Sequence, residues 1–334
     1  MNASQIFDAL KNKIFSPVYF FYGEEPFYID ELTSYIEKNA LDEASREFNQ
    51  SIVYGLDVSA RNVIDLSRRF PMMSNYQVVI VKEAQNIQDF EKLIDYFEKP
   101  SETTILIINY KYRKLDKRKM FYKRLNKSKK VVLFESSRVY DNNIPGWILE
   151  RVHVLGHTIN SKSISMLAEF LGNDLGRINN ELNKLTINLK PGEAITEDLI
   201  EQNIGISKDF NVFEFTKALG KRDIFHALRI IQYFEANPRQ NPLQMVNVLL
   251  YTFFIKALLY HQLKNENKNT IAAKLGISPF FVDDYRMAAQ NYGPSKIKEI
   301  ISGIRQLDLK SKGFGATDAG SYGPLKEWAF RVVS

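Results

Sequence analysis

Over residues 1–140, short unbroken apolar runs alternate with stretches whose apolar residues recur at helical spacing. The runs are 18–22 (VYFFY), 51–54 (SIVY), 78–81 (VVIV), 105–108 (ILII) and 131–134 (VVLF), all rich in β-branched or aromatic side chains. Runs this short, without polar alternation, predict strands buried on both faces, as in a parallel sheet. Between them, segments such as 29–38 and 63–70 carry apolar residues near a 3.6-residue period and predict helices that cover the sheet. The pattern is that of a βαβ domain.

After Asp141 strand-like runs are no longer expected. Residues 164–171 (ISMLAEFL) and 175–185 (LGRINNELNKL) predict helices separated by Gly172 and Asn173, with Pro191-Gly192 closing the pair; Thr196 can cap a third short helix over 197–203. From Asn211 the helices lengthen: 212–219 ending at Gly220, 224–235 before Asn237-Pro238, 243–263, and two more. Asn211 with Glu214 three positions on has the form of a helix cap. The expected organisation is therefore an α/β domain over 1–140, a small helical domain over 141–209 and an all-helical domain over 210–334. No repeat at a fixed period is visible, which argues against a solenoid.

Composition narrows the class. Cys is absent from the 334 residues, so no disulfide framework, thiolate metal site or cysteine nucleophile exists. The longest nearly uncharged apolar run, 247–255, is well short of the ~18 residues that a bilayer span needs. The N-terminus, MNASQIFDALKNKIF, lacks the charge-then-apolar order of a secretory signal. No membrane span is expected, and the chain reads as cytoplasmic.

The formal charge of +6 hides a concentration of basicity: residues 111–130 hold eleven Lys and Arg and one acid, a local +10, while the rest of the chain sums to −4. Such a segment can attract phosphate, or can be a solvated face; both readings stand on the residues alone.

The first strand runs into Gly23-Glu24-Glu25-Pro26-Phe27-Tyr28-Ile29-Asp30, the place of a phosphate-binding loop in an α/β nucleotide-binding domain. A working loop needs a glycine, a lysine and a hydroxyl where this chain has Tyr28, Ile29 and Asp30, and three acids nearby would repel phosphate. The run 78–81 leads into Lys82-Glu83-Ala84, where a metal-holding Asp would be Lys82; a cation cannot coordinate Mg²⁺. Two defects in one scaffold predict an ATPase-like fold without nucleotide hydrolysis and without a cofactor.

Ahead of that strand lies Phe70-Pro71-Met72-Met73-Ser74-Asn75. A proline-fixed turn presenting two Met side chains can plug a partner's apolar pocket, or can pack beneath the sheet. Residues 270–289 have a helix-turn-helix outline, with Gly276 at the turn. The would-be recognition helix opens on Pro279-Phe280-Phe281 and then Asp283-Asp284, which disfavours DNA reading and favours a packed corner. Of His153, His157, His226 and His261, the first two are four apart but flank Gly156 without acidic neighbours, so no metal site is expected.

Taken together, YGEEPFYIDE after a strand, Phe48-Asn49 to Gly55, the Pro-Met turn ahead of VVIVKEA, LDKRK, GNDLGRINNELNKL, FNVFEFTKALG and a late LDLKSK resemble, in order and spacing, the delta subunit of the bacterial DNA polymerase III clamp loader. The resemblance covers nearly the whole chain. It implies an AAA+-like first domain with a degenerate nucleotide site, a helical lid and a helical collar. It also implies a non-catalytic subunit of the polymerase III holoenzyme that binds and opens the sliding clamp (beta subunit), in a hetero-pentamer with gamma/tau and delta-prime, on primed DNA.

Carried over by position, Pro71, Met72 and Met73 would contact the clamp, Met73 standing where the family usually has Phe. Lys111, Arg113, Lys114, Lys117, Arg118 and Lys119 would follow DNA phosphates, and Tyr322 could stack on an unpaired base while Trp328 packs in a core. The competing function is a helix-turn-helix DNA-binding regulator with an α/β sensor domain, and an active P-loop enzyme is the third reading.

Overall fold

The computed structural model of the chain describes residues 2–204, 207, 210–277, 279–314 and 321–334, and divides into two compact units at Val139/Tyr140. The first begins with α1 (Ala3–Lys11), β1 (Val18–Gly23), α2 (Pro26–Asn39), α3 (Glu43–Asn49), β2 (Gln50–Tyr54) and α4 (Ala60–Ser67). It continues with β3 (Gln77–Lys82), α5 (Ile94–Glu98), β4 (Thr104–Lys111), α6 (Met120–Lys127) and β5 (Val131–Ser136). All five strands are parallel, in the order β2-β3-β4-β1-β5.

The alternation of side chains along each strand divides the core into two layers. Phe20, Tyr22, Val79, Val81, Leu106 and Ile108 face one cluster with Val63, Phe97 and Leu125; Tyr19, Phe21, Val78, Ile80 and Ile107 face the other with Leu10, Ile29 and Leu32. Helices therefore cover both sides, as the apolar runs predict, and the unit is a parallel α/β domain.

Two details differ from the sequence reading. Residues 51–54 have the composition of a buried strand, yet β2 is an edge strand paired only with β3, which leaves Ile52 and Tyr54 exposed. The helix expected over 63–70 runs instead from Ala60, capped by Ser59, to Ser67, so Phe70 and Pro71 belong to a loop.

The second unit contains α7 (Ile144–Val154), β6 (Thr158–Ile159), α8 (Ser161–Leu171), α9 (Leu175–Thr186), β7 (Ala194–Ile195) and α10 (Glu197–Ile204). These are followed by α11 (Val212–Gly220), α12 (Ile224–Ala236), α13 (Leu243–Leu263), α14 (Lys268–Leu275), α15 (Val282–Asn291), α16 (Pro294–Ser311) and α17 (Gly323–Val333). Strands do not stop at Asp141: β6 and β7 form a short parallel pair, two residues each and too brief to leave a period in the sequence. Asn211 caps α11 as expected, its Oδ1 accepting from the Phe213 and Glu214 amides at 2.9 and 3.0 Å. Gly220, expected as a terminator, is the last helical residue.

Helices α11 to α17 share one apolar cluster with α13 at its centre. By length and composition α13 could cross a bilayer, contrary to the expectation from the run 247–255, because Lys256 is its only charged residue. Its Leu243, Val246, Leu250, Phe253, Phe254, Ala257 and Tyr260 are buried, the pattern of a core helix.

Gly276 ends α14 in the left-handed conformation, and Val282, Tyr285, Ala288 and Ala289 of α15 enter the same core, so the helix-turn-helix outline is a packed corner. Asp283 is held by Lys268 at 2.7 Å and Arg286 at 3.2 Å. Ser278 of that turn and the residues at the 209 boundary lie outside the described residues.

Candidate interaction site and the nucleotide-site position

In open α/β sheets ligands bind outside the carboxyl ends of the strands, where the strand order reverses. Here that place lies at the end of β1, between β4 and β5, and the chain fills it with its own groups. Gly23 has φ +143°, and a Cβ there would lie 2.0 Å from the Ser136 carbonyl oxygen. The connection to α2 is so short that Glu25, buried, already caps the helix: its carboxylate accepts from the Phe27 amide at 3.0 Å, and its own amide donates to Ser136 O at 3.2 Å. Pro26 at the first helical position has no N–H to offer.

A helix N-terminus binds phosphate through free amides; this one presents a carboxylate, a proline and an amide already engaged. Ile29, in the place of the phosphate-binding lysine, is fully buried in the sheet core, and Tyr28 packs against the same cluster. Asp30 pairs with Lys111 at the end of β4, Glu24 with Lys114 at 2.7 Å, and Glu135 of β5 with Lys117 at 2.8 Å. Lys82 ends β3, and Glu83 adopts left-handed backbone with φ 54° and accepts from Asn86. Titration of the chain with Mg-ATP is therefore expected to give no binding heat; a micromolar dissociation constant would overturn this reading of Tyr28, Ile29, Asp30 and Lys82.

The same ion pairs revise the basic segment. Lys119 meets Glu91 at 2.9 Å, Arg124 meets Asp95 and Glu98 at 3.1 and 2.8 Å, Lys130 meets Glu102 at 3.1 Å, and Arg118 pairs with Asp116 at 3.0 Å. The Arg118 bonds hold the Asp116 carboxyl down at about 2, and Glu91 raises the Lys119 ammonium. Seven carboxylates from outside residues 111–130 thus approach its cations and leave only a small positive excess. Of the six basic residues expected to contact phosphate, Lys111 is 13% exposed at its side chain, and only Arg113 has no carboxylate partner among the described residues. Among the described residues Lys123, Lys127 and Lys129 also lack one, and the sequence does not single them out.

Tyr322 requires a correction. It is buried, and its hydroxyl donates to the Asn241 carbonyl at 2.5 Å, so its ring is not available to stack on a base. Trp328 lies in the core as expected. His153 is near the end of α7 while His157 lies beyond it, its ring 3.2 Å from the Glu193 carbonyl, so the two do not share a helix face.

The Pro-Met turn is on the surface. Met72 is 63% and Met73 103% exposed, with Phe70 at 85% beside them, so the alternative of packing beneath the sheet is not what the fold adopts. Met73 takes φ 52°, an uncommon conformation for a residue with a Cβ. The turn is tied to α3 by Asn49, which is buried: its Oδ1 accepts from the Met72 amide at 2.6 Å and its Nδ2 donates to the Met72 carbonyl at 2.9 Å. Nothing in the spacing of positions 49 and 72 announces this contact.

The first unit is thus a parallel α/β sheet whose phosphate-loop position is occupied by the chain's own ion pairs, with an exposed apolar turn ahead of β3. A family model described as DNA polymerase III, delta subunit, matches residues 19–135, and one described as DNA polymerase III delta subunit, C-terminal domain, matches residues 209–318. The chain belongs to the DNA polymerase III delta-subunit family. It is 23% identical over 318 residues to the DNA polymerase III subunit delta of Bacillus subtilis, covering 92% of this chain and 91% of that one. The structure of a Bacillus subtilis DNA clamp loader delta protein has the same fold, with a TM-score of 0.59 and 22% identity over 99% of each chain.

Proposed function

We propose that this chain binds the sliding clamp through Pro71, Met72 and Met73 and opens it for loading onto primed DNA, without hydrolysing ATP itself. The observation that carries the reading is the full exposure of Met73 beside the exposed Met72 on a turn held from below. Two flexible thioethers and an exposed Phe70 give an apolar projection that water solvates poorly and that a partner's apolar pocket would desolvate. ATP-binding sister subunits would supply the nucleotide energy, within a cytoplasmic hetero-pentamer formed with gamma/tau and delta-prime. Within this reading, residues 141–209 are a lid and 210–334 a collar for oligomerisation. Exposed Val248, Tyr251 and Leu259 along α13 give that collar an apolar stripe for neighbouring subunits. Size-exclusion chromatography of the purified chain mixed with the ring-shaped clamp tests the reading: a co-eluting complex supports it, and separate elution at micromolar concentration opposes it.

The same proposal includes a contact of α6 and its flanks with DNA phosphates, made by the cations that have no carboxylate partner among the described residues. Changing Lys123, Lys127 and Lys129 to Glu is expected to weaken DNA binding by the assembled loader and to lower its log–log salt slope by about 3 if all three touch phosphates. An unchanged affinity and slope would make the segment a solvated face.

A further inference from the structure

We propose that Asn49 is a positioning residue for the Met72–Met73 projection: its side-chain amide fixes the turn in the presenting conformation before any partner arrives. The inference rests on the reading of that turn as the clamp contact and deepens it.

The two bonds to Met72 demand a group with an acceptor and a donor side by side, because the Met72 amide donates and the Met72 carbonyl accepts. The pattern permits only one orientation of the Asn amide. Its Nδ2 also donates to the Ser45 carbonyl at 3.0 Å, one turn back in α3, so the side chain bridges a helix end to the loop and is 2% exposed. An Asp of the same shape would have no N–H for either carbonyl, and an Ala would leave both Met72 backbone groups without their partner.

The residue after the clamped one is Met73, in left-handed backbone that L side chains seldom adopt and with its side chain wholly in solvent. A free loop of this composition would leave that conformation and fold its apolar groups against the protein. Holding Met72 at both its N–H and its C=O removes the freedom to do so, and a pre-ordered anchor binds without losing that freedom on contact. Asn49 does this although it lies on a different element and need not touch the partner.

The test is a double-mutant cycle with the full chain and the sliding clamp, reading equilibrium affinity and melting temperature for the parent, Asn49→Ala, Met72→Ala/Met73→Ala, and the triple variant. Losing two hydrogen bonds that order the turn should weaken clamp binding about tenfold in the parent background. In the Met72→Ala/Met73→Ala background, where nothing remains to position, Asn49→Ala should cost nothing further. Asn49→Asp, which keeps the shape and the acceptor, repeats the measurement if Asn49→Ala melts below the assay temperature. Unchanged affinity for both Asn49 variants, or an equal loss in both backgrounds, overturns the positioning role while leaving the Met contact standing. If Met72→Ala/Met73→Ala itself binds like the parent, the clamp reading of the turn fails and this inference falls with it.

Discussion

Met72→Ala combined with Met73→Ala is expected to weaken clamp binding by roughly thirtyfold or more, about 2 kcal/mol, while leaving the melting temperature of the chain within about 2 °C of the parent. The two halves of this expectation have separate origins. Truncating an anchor that becomes desolvated in a partner's pocket removes its dispersion contacts and its buried apolar area at once. Truncating a side chain already surrounded by water removes little from the folded chain, and Met72 and Met73 are 63% and 103% exposed. A core Met would behave in the opposite way, costing about 2 to 5 kcal/mol of stability. Affinity by titration and melting by circular dichroism on one sample decide the matter. Retained affinity would remove the proposed contact, and a large fall in melting temperature would mean that the turn packs against the protein in solution.

The second large effect concerns the closed nucleotide position. Gly23→Ala is expected to lower the stability of the N-terminal unit by about 3 kcal/mol or more, a fall of roughly 10 °C in its melting transition. The new Cβ would lie 2.0 Å from the Ser136 carbonyl oxygen and 2.7 Å from its carbon, both backbone atoms at the end of β5. That backbone cannot retreat freely: β5 is paired in register to β1 from Val131 to Glu135, and Ser136 O accepts the Glu25 amide. The φ of +143° is unfavourable for any residue with a Cβ as well. A melt within about 1 °C of the parent would show that the strand ends are looser than this packing describes. The glycine here serves the close approach of two strands and a tight turn into α2.

Much of the scaffold was legible because its signals are local. Runs such as VYFFY and VVIV are apolar on both faces, which only a covered parallel sheet requires, and they fall within β1 and β3. The mismatch with a phosphate-binding loop and a metal-holding Asp is legible for the same reason, since Ile29 and Lys82 are the wrong residue types for those roles wherever the chain takes them.

What could not be read depends on distant partners. The run SIVY looks like its neighbours, and only the strand order leaves it at an edge. The basic segment counts as +10 in the sequence, but the acids that offset it come from Glu24, Asp30, Glu91 and others that are adjacent only after folding. Met72 and Met73 have one composition whether buried or presented, and the side chain that presents them, Asn49, is 23 positions away. Tyr322 was misplaced because an aromatic near a helix start looks the same whether it faces a base or, as here, donates its hydroxyl to Asn241 O inside the fold.

The central claim, a clamp-binding subunit that uses no nucleotide of its own, is tested most directly by calorimetric titration of the sliding clamp into the full chain, with and without Mg-ATP. The account predicts saturable binding with the same affinity and enthalpy in both conditions, and no heat when Mg-ATP is titrated alone. Absence of clamp binding, or a clamp affinity that depends on Mg-ATP bound by this chain, would contradict it.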